Sequence, residues 1–173
     1  ALSEALLHHK DYAVRREAAG VLTTIGDKTA APALIQALKD DDPYVHDNAI
    51  KGIVKFKSAE VIALVLEKIR NEDWRFRRGA IDALKALDAS QTAEEMISAL
   101  DDKNRLVKVA AVEALAGWEI PKAVDPLIRV MLEEDMTVRM LAAGALKKYP
   151  EPRVFEALYQ VATDRQERPG IPD

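Results

Sequence analysis

The 173-residue chain has no cysteine. That absence removes disulfides, thiolate metal sites and thiol nucleophiles, and it fits a reducing compartment. Aromatic residues are scarce, at 5%, so no large aromatic core is available. Net positive charge is also missing. The formal charge is −4, which leaves no global basic field to draw the protein to DNA or an anionic membrane. No apolar run approaches the ~20 residues of a membrane span, and the first residues lack a signal-peptide core. There is no HExxH, no GxSxG and no glycine-rich phosphate loop. These absences read as a soluble, cytoplasmic protein with no assignable catalytic residue, no cofactor and no metal.

What remains is Ala, Leu, Val and Ile on the apolar side, and Glu, Lys, Arg and Asp on the polar side. That alphabet favours helices. Its order is periodic. "LIQALKDDD" from Leu34, "VLEKIRNED" from Val65, "MISALDDKN" from Met96 and "LIRVMLEED" from Leu127 start 31 residues apart, without insertions. The units run 3–33, 34–64, 65–95, 96–126 and 127–157, with a partial sixth at 158–163. A tail, 164–173, carries two prolines and a glycine.

Each unit reads as two helices, which predicts eleven helices in antiparallel pairs. Paired apolar residues such as Leu34, Ile35 and Leu38 mark the first helix. A short acidic turn follows, ending at Asp11, Asp42, Asp73, Asn104 or Asp135. Asp and Asn there are N-caps, because the side chain accepts an otherwise unpaired backbone N–H. The second helix then puts Val45, Ala49, Ile53 and Phe56 on one face, matched by Val107, Ala111, Leu115 and Trp118. One unit cannot bury that face alone, so neighbours must stack.

Segments such as "DMTVRMLAAGAL", with Asp-x-x-Val-Arg followed by Ala-Ala-x-Ala-Leu, resemble short HEAT-like repeats of the phycobilisome-lyase type. The resemblance spans about Leu2 to Thr163. It implies an all-α, right-handed α-solenoid of stacked helix pairs, HEAT-like or armadillo-like, in one domain over 1–163. It also implies that second helices line a concave side used to bind proteins. No lyase residue set carries over.

Several columns invite a functional reading. Arg15, Arg77, Lys108 and Arg139, with His46 as the exception, are read as a ladder pairing with the cap aspartates of adjacent units. Five glycines inside second helices, Gly20, Gly52, Gly79, Gly117 and Gly144, are read as admitting close neighbours. Trp118 is expected in the core between units and Trp74 on an outward stripe. The final helix, around Val154, Leu158 and Val161, has no second helix behind it, so the expectation is either a homo-oligomer through an exposed end or a sequence cut from a longer chain.

The stripes opposite the core do not repeat in chemistry. They contain Tyr12 and Arg16; Lys51 and Lys55; Trp74, Arg78 and Asp82; Arg105 and Val109; and Met136 and Met140. Tyr44 and Arg75 stand beside them. A solenoid needs repetition only where units touch, so these residues are free for recognition. The set is read as the partner-binding surface of a non-catalytic scaffold for a protein or peptide. The basic first units call for an acidic segment and the apolar last units for an apolar one. Two alternatives come from other classes. Trp74, Arg78 and Asp82 superficially resemble the set of HEAT-like alkylpurine DNA glycosylases, a nucleic-acid reading that Asp47, Asp82 and Glu113 oppose. A bilin lyase or cofactor-chaperone role rests on the family name alone.

Overall fold

The computed structural model describes residues 1–133 and 135–164; the expected tail beyond 164 and the middle of the fifth acidic turn lie outside them. Eleven α-helices and no strand occur among the described residues. They are α1 (Leu2–His8), α2 (Tyr12–Ile25), α3 (Ala31–Ala37), α4 (Pro43–Phe56), α5 (Ala59–Leu66), α6 (Trp74–Ala86), α7 (Ala93–Ala99), α8 (Arg105–Trp118), α9 (Val124–Glu133), α10 (Met136–Leu146) and α11 (Pro152–Asp164). Short 3₁₀ turns such as Lys28–Ala30, Ser90–Thr92 and Pro121–Ala123 lead into first helices.

The chain forms two compact units, Ala1–Glu95 and Met96–Asp173. In the first, α1 packs on α2, α3 on α4 and α5 on α6, while α1, α3, α5 and α2, α4, α6 each stack in order. In the second, α10 packs on α8 and α9, and α11 on α9. Helices laid pair upon pair in this way make an α-solenoid.

The acidic turns have a local cause. The cap side chains of Asp11, Asp42, Asp73, Asn104 and Asp135 each accept a backbone N–H from the first turn of the helix that follows. Two residues earlier, Asp40, Asn71 and Asp102 accept the N–H of the cap residue itself. Each of these three turns is thus two nested side-chain turns, a local bonding for which Asp and Asn are suited. The carboxylates are structural before they are anything else.

Burial follows the repeat. Ala18, Ala49, Ala80, Ala111 and Ala142 form one buried column; Leu22, Ile53, Leu84, Leu115 and Leu146 form the next. Burying each of these leucines or isoleucines contributes about 1.5–3 kcal/mol. Leu38 and Leu100 are also buried. The two tryptophans do not separate as expected. Both Trp74 and Trp118 are half-buried. In the column of Trp118, Phe56, Leu87 and Tyr149 are buried but Ile25 is exposed. An indole is too large to be enclosed fully in a column sized for Leu and Phe.

The glycines divide too. A methyl group on Gly79 would stand 2.5 Å from the Leu38 carbonyl oxygen, and one on Gly52 2.7 Å from Leu34 Cδ1. Gly117 and Gly144 face open space, so no close neighbour accounts for them.

Candidate functional site

The stripe of the first unit lies on α2, α4 and α6. Arg16 is sandwiched there between two rings, 4.6 Å from the centroid of Tyr12 and 4.3 Å from that of Tyr44. Its Nε donates to Asp42 at 2.7 Å. The stacking and the ion pair hold the guanidinium in place and neutralise it. Asp42 is drawn down to about pKa 2, chiefly by this Arg16 hydrogen bond, aided by the amides of Val45 and Tyr44 and opposed by desolvation.

The other expected arginines are also paired, and Lys55 is hydrogen-bonded. Arg75 forks onto Asp73 at 2.9 Å and reaches Asp41 at 3.1 Å. Arg78 approaches Asp82 at 3.4 Å, and His46 approaches the same carboxylate at 3.4 Å. Lys55 donates to the Thr23 carbonyl at 2.9 Å, near the C-terminus of α2, where partial negative charge favours a cation. Lys51 is exposed, one turn beyond the exposed Asp47. In the second unit Arg105 reaches Asp135 at 3.2 Å and Thr137 at 2.7 Å. Val109 is half-buried there.

The geometry gives the expected ladder in part: Arg15 pairs across units, but with Asp40 of the next turn rather than with its cap Asp42. Arg15 donates to the carbonyls of His9 and Lys10 and to Asp40. Arg77 donates to the carbonyls of Asn71 and Glu72, Arg139 to that of Met131, and His46 Nδ1 meets that of Leu38 at 2.8 Å. The column turns back to the turn of its own unit, where the preceding helix exposes its last carbonyls, and Arg15 also crosses to Asp40 in the turn of the next unit. Cap carboxylates of adjacent units are met instead by Arg16 and Arg105, from other columns.

Large apolar side chains also stay exposed on the stripes. Tyr12 is 54% exposed, Tyr44 62%, Met136 59% and Met140 67%. Between the starts of α4 and α6 lies a cleft of about 190 Å³, lined by Leu38, Pro43, His46, Asp47, Trp74, Arg75 and Arg78 with Asp40 and Asp41. A wider depression of about 560 Å³ lies over the turns of the first unit, bordered by His8, His9, Arg15, Lys39 and Asp40. Among the described residues no three His, Cys, Asp or Glu side chains converge as a metal site. No described helix is long and apolar enough to cross a membrane.

Reading the sequence alone brought Trp74, Arg75 and Arg78 into the site. It put Pro43 and Asp47 on the same outward stripe but missed Leu38 and Asp41 as walls of the cleft. Their signal was masked, because turn aspartates recur in every copy and read as caps.

Comparison with known proteins places this geometry in context. The model of HEAT repeats matches residues 1–85, 31–103 and 93–169. No curated protein matches the chain. Among solved structures, one from work on microtubule plus end tracking by XMAP215, CLIP-170 and EB1 superposes with a TM-score of 0.59 at 17% identity, covering 94% of this chain and 89% of that one. A designed armadillo repeat protein superposes at 0.55 and 16% identity, over 98% and 94%. Another, in complex with the peptide (KR)4, superposes at 0.52 and 15% identity, over 98% and 93%.

Proposed function

The chain belongs to the HEAT repeat family, and from that premise we propose that it is a non-catalytic scaffold that binds a protein or peptide on the exposed faces of its second helices. One observation carries the reading. The columns that face neighbouring helices are closed and alike from copy to copy, whereas Tyr12, Tyr44, Met136 and Met140 are large, apolar and more than half exposed. Such side chains are costly to leave wet without use, and aromatics and methionine are favoured at adaptable interfaces. The similarity to a designed repeat protein solved with a peptide supports the same mode.

The ion pairs support a different role for the expected anchors. Arg16 and Arg105 pair with cap carboxylates of the next repeat, and Arg75 and Arg78 pair with Asp73, Asp41 and Asp82, so none stands as a free charge, and Arg16 also supports the rings of Tyr12 and Tyr44. Tyr12, Tyr44, Trp74, Met136 and Met140 supply the contact area. The exposed Phe155 and Tyr159, one turn apart on α11, are the surface we assign to self-association; sedimentation of Phe155→Ser against the unchanged chain tests it.

The test of the main reading is calorimetry with a peptide selected from a display library. Trp74→Ala and Met140→Ala should each cost about 1–4 kcal/mol of binding, and Glu67→Ala, exposed on the turn that follows α5, close to nothing. Equal losses at Glu67 and Trp74 would move the surface elsewhere.

A further inference from the structure

The cleft between the starts of α4 and α6 has a chemical bias that the arginines on the stripe conceal. At about 190 Å³ it falls below the roughly 300–1,000 Å³ of sites for drug-sized ligands. It has the room of one long side chain. Pro43 and the half-buried ring of Trp74 make its apolar wall, with the buried Leu38 beneath them.

Its charge is not what a count of nearby arginines suggests. Arg75 is committed to Asp73 and Asp41, Arg78 approaches Asp82, and Arg15 is forked onto Asp40 at 2.7 and 3.0 Å. Asp47 is exposed and lies outside every one of these pairs. Taking the lining groups with the groups bonded to them, three arginines stand against five aspartates. His46 reduces the deficit to one positive charge when it is protonated. Lys51 lies a turn further along α4 and does not line the cleft.

An apolar slot ending at an aromatic face and an unpaired carboxylate suits a cation on a methylene stem. The stem lies along apolar wall while the head stays hydrated, and the ring and the carboxylate both attract the charge. We infer that this cleft receives a lysine or arginine side chain from an extended peptide segment, its methylenes against Pro43 and Trp74 and its charged head at Asp47. The inference rests on the docking surface proposed above and names the charge class of its ligand. That class is the reverse of the acidic segment which the bare count of arginines calls for.

The test is fluorescence anisotropy of two dye-labelled peptides of equal length, one alternating Lys and Arg, one of Glu and Gly, titrated with the intact chain at fixed ionic strength. The basic peptide should bind and the acidic one should not. Asp47→Lys should weaken the basic peptide by about tenfold or more, while Glu156→Lys, the same charge change on α11, should weaken it less than about threefold. Trp74→Leu, which keeps apolar volume but removes the ring face, should also cost about tenfold. Circular dichroism confirms that each variant stays folded, and Asp47, being exposed, decides the matter should Trp74→Leu unfold. Equal losses from Asp47→Lys and Glu156→Lys would show diffuse attraction and overturn the cleft. Preference for the acidic peptide with Trp74 still required would overturn the inference and leave the docking surface standing. Binding of either peptide indifferent to Trp74, Tyr44 and Met140 would remove the docking surface itself.

Discussion

The Nε2 of His46 on α4 lies 3.4 Å from Oδ2 of Asp82 on α6, while its Nδ1 meets the Leu38 carbonyl at 2.8 Å. One imidazole thus joins three helices of the first unit. Both nitrogens act as donors only in the charged ring. Burial and the Arg78 charge work against that form. The hydrogen bonds to Asp82 and Leu38 and the Asp82 charge outweigh them, so His46 titrates above its ordinary value.

The sign of the resulting pH dependence follows by linkage. A histidine whose folded value is raised adds stability that is fully present below the unfolded value, about 6.5, and lost as pH rises through the folded value. Thermal melts of the unchanged chain and of His46→Gln should therefore differ most in mild acid and converge in mild alkali. A gap that is constant or widens with rising pH would refute the charged bridge.

Asp42 makes the opposite prediction in acid. It caps α4 through Tyr44 and Val45 and also holds Arg16. Asp11 caps α2 through Ala13. Asp42→Ala should destabilise more than Asp11→Ala by chemical denaturation. A lowered carboxylate contributes above its unfolded value, about 3.9, and loses that contribution as pH falls through the folded value. The penalty of Asp42→Asn should shrink below pH ~4.

Gly79 and Gly144 should respond oppositely to a methyl group. Gly79→Ala drives Cβ into the Leu38 carbonyl, a backbone atom that cannot rotate away, and should destabilise by about 1–3 kcal/mol. Gly144→Ala meets nothing within 4 Å inside α10 and should stabilise by about 0.5–1 kcal/mol. Denaturant midpoints of the two variants measure this directly.

A fourth prediction comes from a column with no chemical signature. Gly26, Lys57, Asp88 and Glu119, 31 residues apart, all have positive φ, at 67°, 30°, 53° and 53°. Each ends a second helix in the left-handed conformation, which a side chain disfavours. Lys57→Gly should stabilise by about 1 kcal/mol, and Gly26→Lys should destabilise by a similar amount. A neutral result at Lys57 would show that its neighbours relieve the strain.

The sequence alone determined the helix count, the pairing, the caps and the buried columns. These features recur because every copy meets the same neighbours, so one physical demand is written five times, as in Ala18, Ala49, Ala80, Ala111 and Ala142. The αL column escaped notice for the converse reason. The demand there is on the backbone, and Gly, Lys, Asp and Glu all meet it at differing cost. Only the tertiary structure decided what the stripe residues do. Whether Arg16 is a free charge or a clamped one depends on Asp42, 26 residues away, and on two rings that close over it. Whether Trp74 is an anchor depends on Leu38 and Pro43, which make its wall. Composition fixes how many charges a face carries. Which of them are already spent is a matter of distances of 2.7 to 3.4 Å, and those arise only when the helices have packed.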